Sequence, residues 1–180
     1  PVMGDIAGNL AKARAARAEA AKMKADLVLF TELFISGYPP EDLVLKPSFL
    51  AACEKAVREL AIETADGGPG VVIGTPLSRE SGLHNSIAVL DGGEIIAERF
   101  KVDLPNYGEF DEKRVFQAGP MPGPVNFRGV RIGIPVCEDI WGELGVAETL
   151  AESGAEILLV PNGSPYHRAK MDRRHQIVLK

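Results

Sequence analysis

The apolar positions of the chain fall into short runs set apart by helical, polar or Gly/Pro-rich stretches. Residues 9–24 form an Ala-rich run with Lys, Arg and Glu interspersed, which predicts a helix with Asn9 as its N-cap. It leads straight into "ADLVLFTE", a short unbroken apolar run predicted to be a strand buried on both faces. A second helix is expected over residues 48–64, started by Pro47 and Ser48 and ended by "DGGPG" at Asp66 to Gly70. "VVIGTP" reads as a strand, and "HNSIAVLDGGEIIAERF" as two strands joined by a turn at Gly92-Gly93. A Pro/Gly-rich connection from Gly119 to Pro124 precedes the strand "VRIGIPV". A helix near residues 144–153, the strand "EILLV" and a helix from about Pro165 complete the pattern. Strands and helices alternate around a central hairpin, the arrangement of an α/β protein with a mixed sheet covered by helices. Neither an internal repeat nor a second domain is visible in residues 1–180. The run opens without a first strand and stops inside a helical pattern at Lys180, so further strands are expected outside it.

Composition narrows the class. With 46% hydrophobic residues in 180, the chain can bury the core of one domain. Its net charge is -5, and the basic residues are scattered, which argues against a nucleic-acid partner. Apolar runs such as "AEILLVP" fall far short of the roughly 20 residues of a membrane span. No signal peptide opens the sequence, so no membrane association and a cytoplasmic location are expected. Two cysteines, Cys53 and Cys137, fit reduced thiols in a chain of this size. Asn162-Gly-Ser164 matches a glycosylation sequon, weakened by the following Pro165. His84, His167 and His175 share no metal-ligand spacing with each other or with the cysteines, and no metal is expected.

In open α/β sheets functional groups gather where strands run out. Three reactive residues occupy such points: Glu32 after "LVLFT", Lys101 after "EIIAERF", and Cys137 after "RIGIPV". A base, a cation and a thiol form a complete set for acyl transfer. Each also has a plain structural reading: Glu32 as a solvated strand-end carboxylate, Lys101 as a surface lysine, Cys137 as a core thiol. Cys53, within "FLAACEKAVREL", is assigned to the core. Cys137 differs because a helix beginning just after it would bring a positive dipole end and free N–H groups near the sulfur, lowering its pKa from about 8.5.

Four stretches extend this reading. "TELFISGYPPEDL", "FKVDLPNYGEFDEKRVF", "PVCEDIW" and "PNGSPY" occur in this order, and each resembles a signature of the nitrilase superfamily. The wording "SGYPPEDL" and "LPNYGEFDEKR" is most similar to the amidase (glutaminase) domains of glutamine-dependent NAD synthetases, over essentially all 180 residues. The resemblance implies a four-layer α-β-β-α sandwich, incomplete at both ends, and a catalytic set falling on Glu32, Lys101 and Cys137. It implies Tyr38, Tyr107, Glu138 and Ser164 as contacts to glutamine. Glu112 would be a supporting second glutamate near Lys101, against a plain reading as a surface charge. Arg174 is a candidate for an anchoring ion pair or a solvated helix face.

By the same resemblance, residues 1–180 would be a glutamine amidohydrolase domain that needs no cofactor of its own. A synthetase domain using ATP and Mg would follow in the same chain, and the protein would form a homo-oligomer. Two other readings stand beside this one: a stand-alone amidase or carbamoylase of the superfamily acting on another amide, and a non-catalytic interaction domain.

Overall fold

A computed structural model describes residues 1–108, 110–164 and 176. Helix α1 (Ile6–Lys22) leads to strand β1 (Leu27–Leu29), helix α2 (Pro47–Glu63), and strands β2 (Gly70–Arg79), β3 (Gly82–Asp91) and β4 (Glu94–Phe100). Strands β5 (Val125–Phe127) and β6 (Val130–Gly133), helix α3 (Val146–Glu152) and strand β7 (Ile157–Leu158) follow. Among the described residues these strands make a sheet ordered β1-β2-β3-β4 and a second ordered β5-β6-β7. The pairs β1/β2 and β6/β7 are parallel and the others antiparallel.

Period-two alternation along β2 and β3 decides what each face of the first sheet meets. Val71, Ile73, Ala88 and Leu90 join a core with Leu10 and Ala13 of α1 and Cys53, Val57 and Leu60 of α2. The alternate residues Val72, Ile87 and Val89 pack instead against Val125, Phe127 and Ile132 of the second sheet and Ile134 just past it. Between Ile132 and Ile134, Gly133 faces the other way, where an added Cβ would meet Leu150 of α3 at 3.2 Å. The layers therefore run helix, sheet, sheet, helix. Each fully buried Val, Leu or Ile on these faces contributes about 1.5–3 kcal/mol.

Four expectations need correction. The cap of α1 is Asp5, whose carboxylate accepts the Gly8 N–H at 2.9 Å, not Asn9. Asn9 is buried inside the helix, where its amide donates to the Val2 and Ile35 carbonyls at 2.7 and 3.1 Å and ties the chain start to the loop after β1. β1 is not buried on both faces: it lies beside β2 at the end of the described sheet, and Leu29 is 42% exposed. β5, missed because Pro and Gly surround it, forms a hairpin with β6. Cys137 is followed by a 3₁₀ turn, Cys137–Ile140, rather than an α-helix. The expected helix from Pro165 lies outside the described residues. The Gly92-Gly93 turn is present, with φ of 59° and 92°, values that suit a two-residue hairpin loop and that glycine adopts without strain.

Candidate active site

Three strand ends converge at one edge of the two sheets. After β1 the chain runs hard against β2: the Phe30 N–H donates to the Val72 carbonyl at 2.8 Å and that of Ile35 to Gly74 at 3.0 Å. This approach requires glycine at position 74, because a Cβ there would lie 2.2 Å from the Leu33 nitrogen and 2.5 Å from the Thr31 carbonyl oxygen. Glu32 is thereby buried rather than solvated.

Lys101 follows the last residue of β4, and its backbone N–H donates to the Asn85 carbonyl of β3 at 2.9 Å. The residue is only 1% exposed, which excludes the surface-lysine reading. The ammonium donates to Glu32 Oε1 at 2.7 Å and to Glu112 Oε1 at 2.9 Å. Glu112 opens a 3₁₀ turn, Glu112–Arg114, and is buried, so it is no surface charge. The side-chain amide of Asn85 donates to Glu32 Oε1 at 2.8 Å and to Glu112 Oε2 at 3.3 Å. Glu32 Oε2 accepts the backbone N–H of Gly163 at 2.9 Å.

Cys137 sits just past β6 with φ of +47°, a left-handed conformation unusual for a residue with a Cβ. Its N–H is taken by the Pro161 carbonyl at 3.0 Å. Asp139, two residues on, fixes this bend: one carboxylate oxygen accepts the Val136 N–H at 2.8 Å, and the other those of Val102 and Asp103 at 3.0 and 2.8 Å. A single buried carboxylate thus joins the segment carrying Cys137 to the segment leaving Lys101.

The electrostatics follow from burial and the imbalance of charge. Burial alone would lower the pKa of Lys101, but Glu32 and Glu112 outweigh it and hold the ammonium above its ordinary value. Burial pushes Glu112 above the usual carboxylate range, and the charge of Glu32 adds to this against the pull of Lys101 and Asn85. Burial also drives the Cys137 thiol up to about 12, reinforced by Glu32 and only partly opposed by Lys101 and the Gly163 N–H. This reverses the sequence expectation of a lowered thiol pKa: desolvation and a facing carboxylate exceed whatever one short turn supplies. At neutral pH the resting sulfur carries its proton, within hydrogen-bonding reach of Glu32. Cys53 is fully buried in the α1/α2 core and raised to about 12 by burial alone.

The other predicted residues surround this cluster. The Tyr38 hydroxyl donates to Glu112 Oε1 at 3.1 Å, and burial raises its pKa. Tyr107, 58% exposed, donates to Glu138 Oε1 at 2.7 Å and meets Phe110 edge-on at a centroid distance of 5.6 Å. Burial and that bond to Glu138 push the Tyr107 hydroxyl to about 12. Ser164 is half-buried next to Gly163. A cavity of about 400 Å³ adjoins the cluster, lined by Tyr38, Pro39, Phe110, Glu112, Arg114 and Gly163, a size usual for small-molecule sites. Arg174, His167 and His175 lie outside the described residues. Among the described residues no group of three or more His, Cys, Asp or Glu could hold a metal ion, and no helix is long and apolar enough to cross a membrane.

The arrangement is a buried carboxylate, ammonium and thiol beside a cavity. The carbon-nitrogen hydrolase family matches residues 1–180. The chain belongs to this family. It is 45% identical over 177 residues to a glutamine-dependent NAD(+) synthetase of Rhodobacter capsulatus, covering 98% of this chain and 32% of the relative. The structure of a glutamine-dependent NAD+ synthetase from Acinetobacter baumannii superposes with a TM-score of 0.91 at 36% identity, over 99% of this chain and 33% of that one. The E41Q mutant of an amidase from Nesterenkonia sp. AN1, with the acetamide moiety of fluoroacetamide added covalently at its active site cysteine, gives a TM-score of 0.79 at 27% identity over 93% of this chain and 63% of that one. The chain therefore spans about a third of the length of the NAD synthetases it matches. The resemblance to the nitrilase superfamily and its sandwich holds.

Sequence reasoning missed Asn85, Asp139 and the Gly163 N–H. A signal existed for the first: "HNS" places three consecutive polar residues in an apolar strand, and all three, His84, Asn85 and Ser86, are buried. His84 is held by Ser81 and the Gln117 carbonyl at 2.7 and 2.8 Å and stacks on Phe100. Asp139 gave no such signal, because its partners are backbone groups brought near only by the fold.

Proposed function

We propose that residues 1–180 form a glutamine amidohydrolase domain that cleaves the side-chain amide of glutamine through a thioester on Cys137. The observation that carries this reading is the Lys101 ammonium, buried between Glu32 and Glu112 beside a thiol at a strained bend. It is supported by the NAD synthetases matched over nearly the whole chain.

Glu32 takes the thiol proton as sulfur attacks the amide carbon, so a thiol with a pKa of about 12 is activated only when substrate is in place. The S–C bond forms, and the carbonyl electrons move to oxygen. Lys101 and the Glu138 N–H, the backbone donor that follows the nucleophile, stabilise that oxyanion. The C–N bond breaks as Glu32 returns its proton to nitrogen, releasing ammonia. Water then gives a proton to Glu32 and its oxygen to the acyl carbon; the proton passes to sulfur and glutamate leaves. Glu112 holds Lys101 from the opposite side. Glu138 meets the α-ammonium of glutamine, and Tyr38, Tyr107 and Ser164 complete the pocket.

In the longer protein, a synthetase domain that binds ATP and Mg uses the ammonia to convert deamido-NAD to NAD in a cytoplasmic homo-oligomer. The amidohydrolase domain itself uses no cofactor. Assay of glutamate and ammonia from glutamine tests the reading: turnover is expected, and none with Cys137→Ala. Turnover of short aliphatic amides in preference to glutamine would replace it with the stand-alone amidase reading, and no turnover of any amide would leave the interaction domain.

A further inference from the structure

Glu32 must offer one particular oxygen to Cys137, and its neighbours decide which. Oε1 receives two donors, Lys101 at 2.7 Å and the Asn85 amide at 2.8 Å, which fill its in-plane acceptor directions. Among the described residues Oε2 receives one N–H donor, that of Gly163 at 2.9 Å, and keeps a lone pair for the thiol proton. Asn85 is itself 1% exposed, and its carbonyl oxygen has no hydrogen-bond partner among the described residues. A buried amide left half-satisfied would ordinarily be costly. Here the cost is tolerated because both carboxylates accept from its nitrogen, which also fixes the amide's orientation. Its backbone carbonyl holds the Lys101 N–H, so one residue anchors the strand end carrying the cation and the carboxylate facing it.

We propose that Asn85 is a positioning residue of the hydrolysis: its amide holds the Glu32 and Glu112 carboxyl groups in place, and by occupying Oε1 it commits Glu32 Oε2 to the proton of Cys137. The inference rests on the amide-hydrolysis reading above. Its sign is definite. The N–H donors favour the charged carboxylates, so their removal moves deprotonation of the cluster to higher pH. Among the described residues, the amide itself meets Glu32 and Glu112, and the charged or titratable groups that act on these two or on Lys101 are Lys101, Cys137, the Tyr38 hydroxyl and Asp139. Among the described residues only the Lys101 ammonium pairs with the two carboxylates, so loss of the amide donors falls directly on them.

The test uses Asn85→Leu, which removes the donors on a side chain of the same branching, and Asn85→Asp, which keeps the shape and adds a third carboxyl. In the full-length protein, kcat for glutamine should fall about 10- to 100-fold with KM changed less than threefold. The acid limb of the rate profile should move up by about one pH unit, further in Asn85→Asp than in Asn85→Leu. The rate of Cys137 alkylation by chloroacetamide, which needs no assumption about the natural substrate, should show the same displacement. Alkylation displaced in this way while the unaltered protein leaves glutamine untouched would support Asn85 and remove the glutamine reading. A folded variant with an unmoved acid limb in both assays, whether or not kcat has dropped, would overturn the proposal and make Asn85 a structural residue.

Discussion

Replacing Lys101 with methionine leaves two buried carboxyls facing each other with only the Asn85 amide between them. With the ammonium present the three groups carry a net charge of -1; without it they carry -2 unless one carboxyl takes up a proton. Glu112, already raised by burial, is the carboxyl that does so. At pH 7, protonating a carboxyl of ordinary pKa near 4.3 costs about 3.7 kcal/mol, and at pH 5 about 1 kcal/mol. The first figure falls within the roughly 3–5 kcal/mol typical of a buried pair stripped of one partner. In the variant, the folded-state pKa of this carboxyl lies above its unfolded value, so stability is lost as pH rises between the two. Lys101→Met should therefore destabilise by about 3–4 kcal/mol at pH 7 and by about 1 kcal/mol at pH 5. Urea unfolding followed by the fluorescence of Trp141, the one tryptophan of the 180 residues, reads this directly. An equal loss at both pH values would refute the reasoning, since it would mean that packing of the lysine stem, not its charge, holds the cluster together.

Three other outcomes are expected. Glu32→Gln keeps the shape and the acceptor for Lys101 but cannot take the thiol proton, so kcat should fall about 10²-fold or more with KM little changed; steady-state kinetics at pH 7.5 would expose a different base if turnover persisted. Gly74→Ala places a Cβ within 2.2 Å of the Leu33 backbone, so it should push the Glu32 segment off β2 and lower kcat at least tenfold together with the melting temperature; wild-type kinetics in that variant would show that the segment need not lie so close. The Cys137 thiol is raised to about 12, so the proposed transfer of its proton to the neighbouring carboxylate predicts an alkylation rate that stays flat from pH 7 to 9; a tenfold rise per pH unit would indicate an independently ionising thiol.

What the sequence made legible was local. The strands ending at Glu32, Lys101 and Cys137 announced themselves by apolar runs that stop at a charged or reactive residue, and the hairpin by its two glycines. The meeting of those ends was not legible from the spacing, because Glu32 and Lys101 lie 69 positions apart and join only through the register of β1, β2, β3 and β4. The resemblance to the nitrilase superfamily supplied that step and also drew in Glu112, which the charged run "FDEKR" alone would have left on the surface. The Cys137 environment was misjudged because a helix dipole can be inferred from a sequence, whereas the burial that overrides it cannot. Asn9 misled for a similar reason: a good cap residue was used instead to pin down the chain start from inside the helix.

The account stands on Cys137 as the nucleophile. A chloroketone analogue of glutamine, with its electrophilic carbon where the amide carbon would lie, should label the protein once, compete with glutamine, and map by peptide mass spectrometry to Cys137 with Cys53 untouched. Label on Cys53, or glutamine hydrolysis that continues in Cys137→Ala, would contradict it.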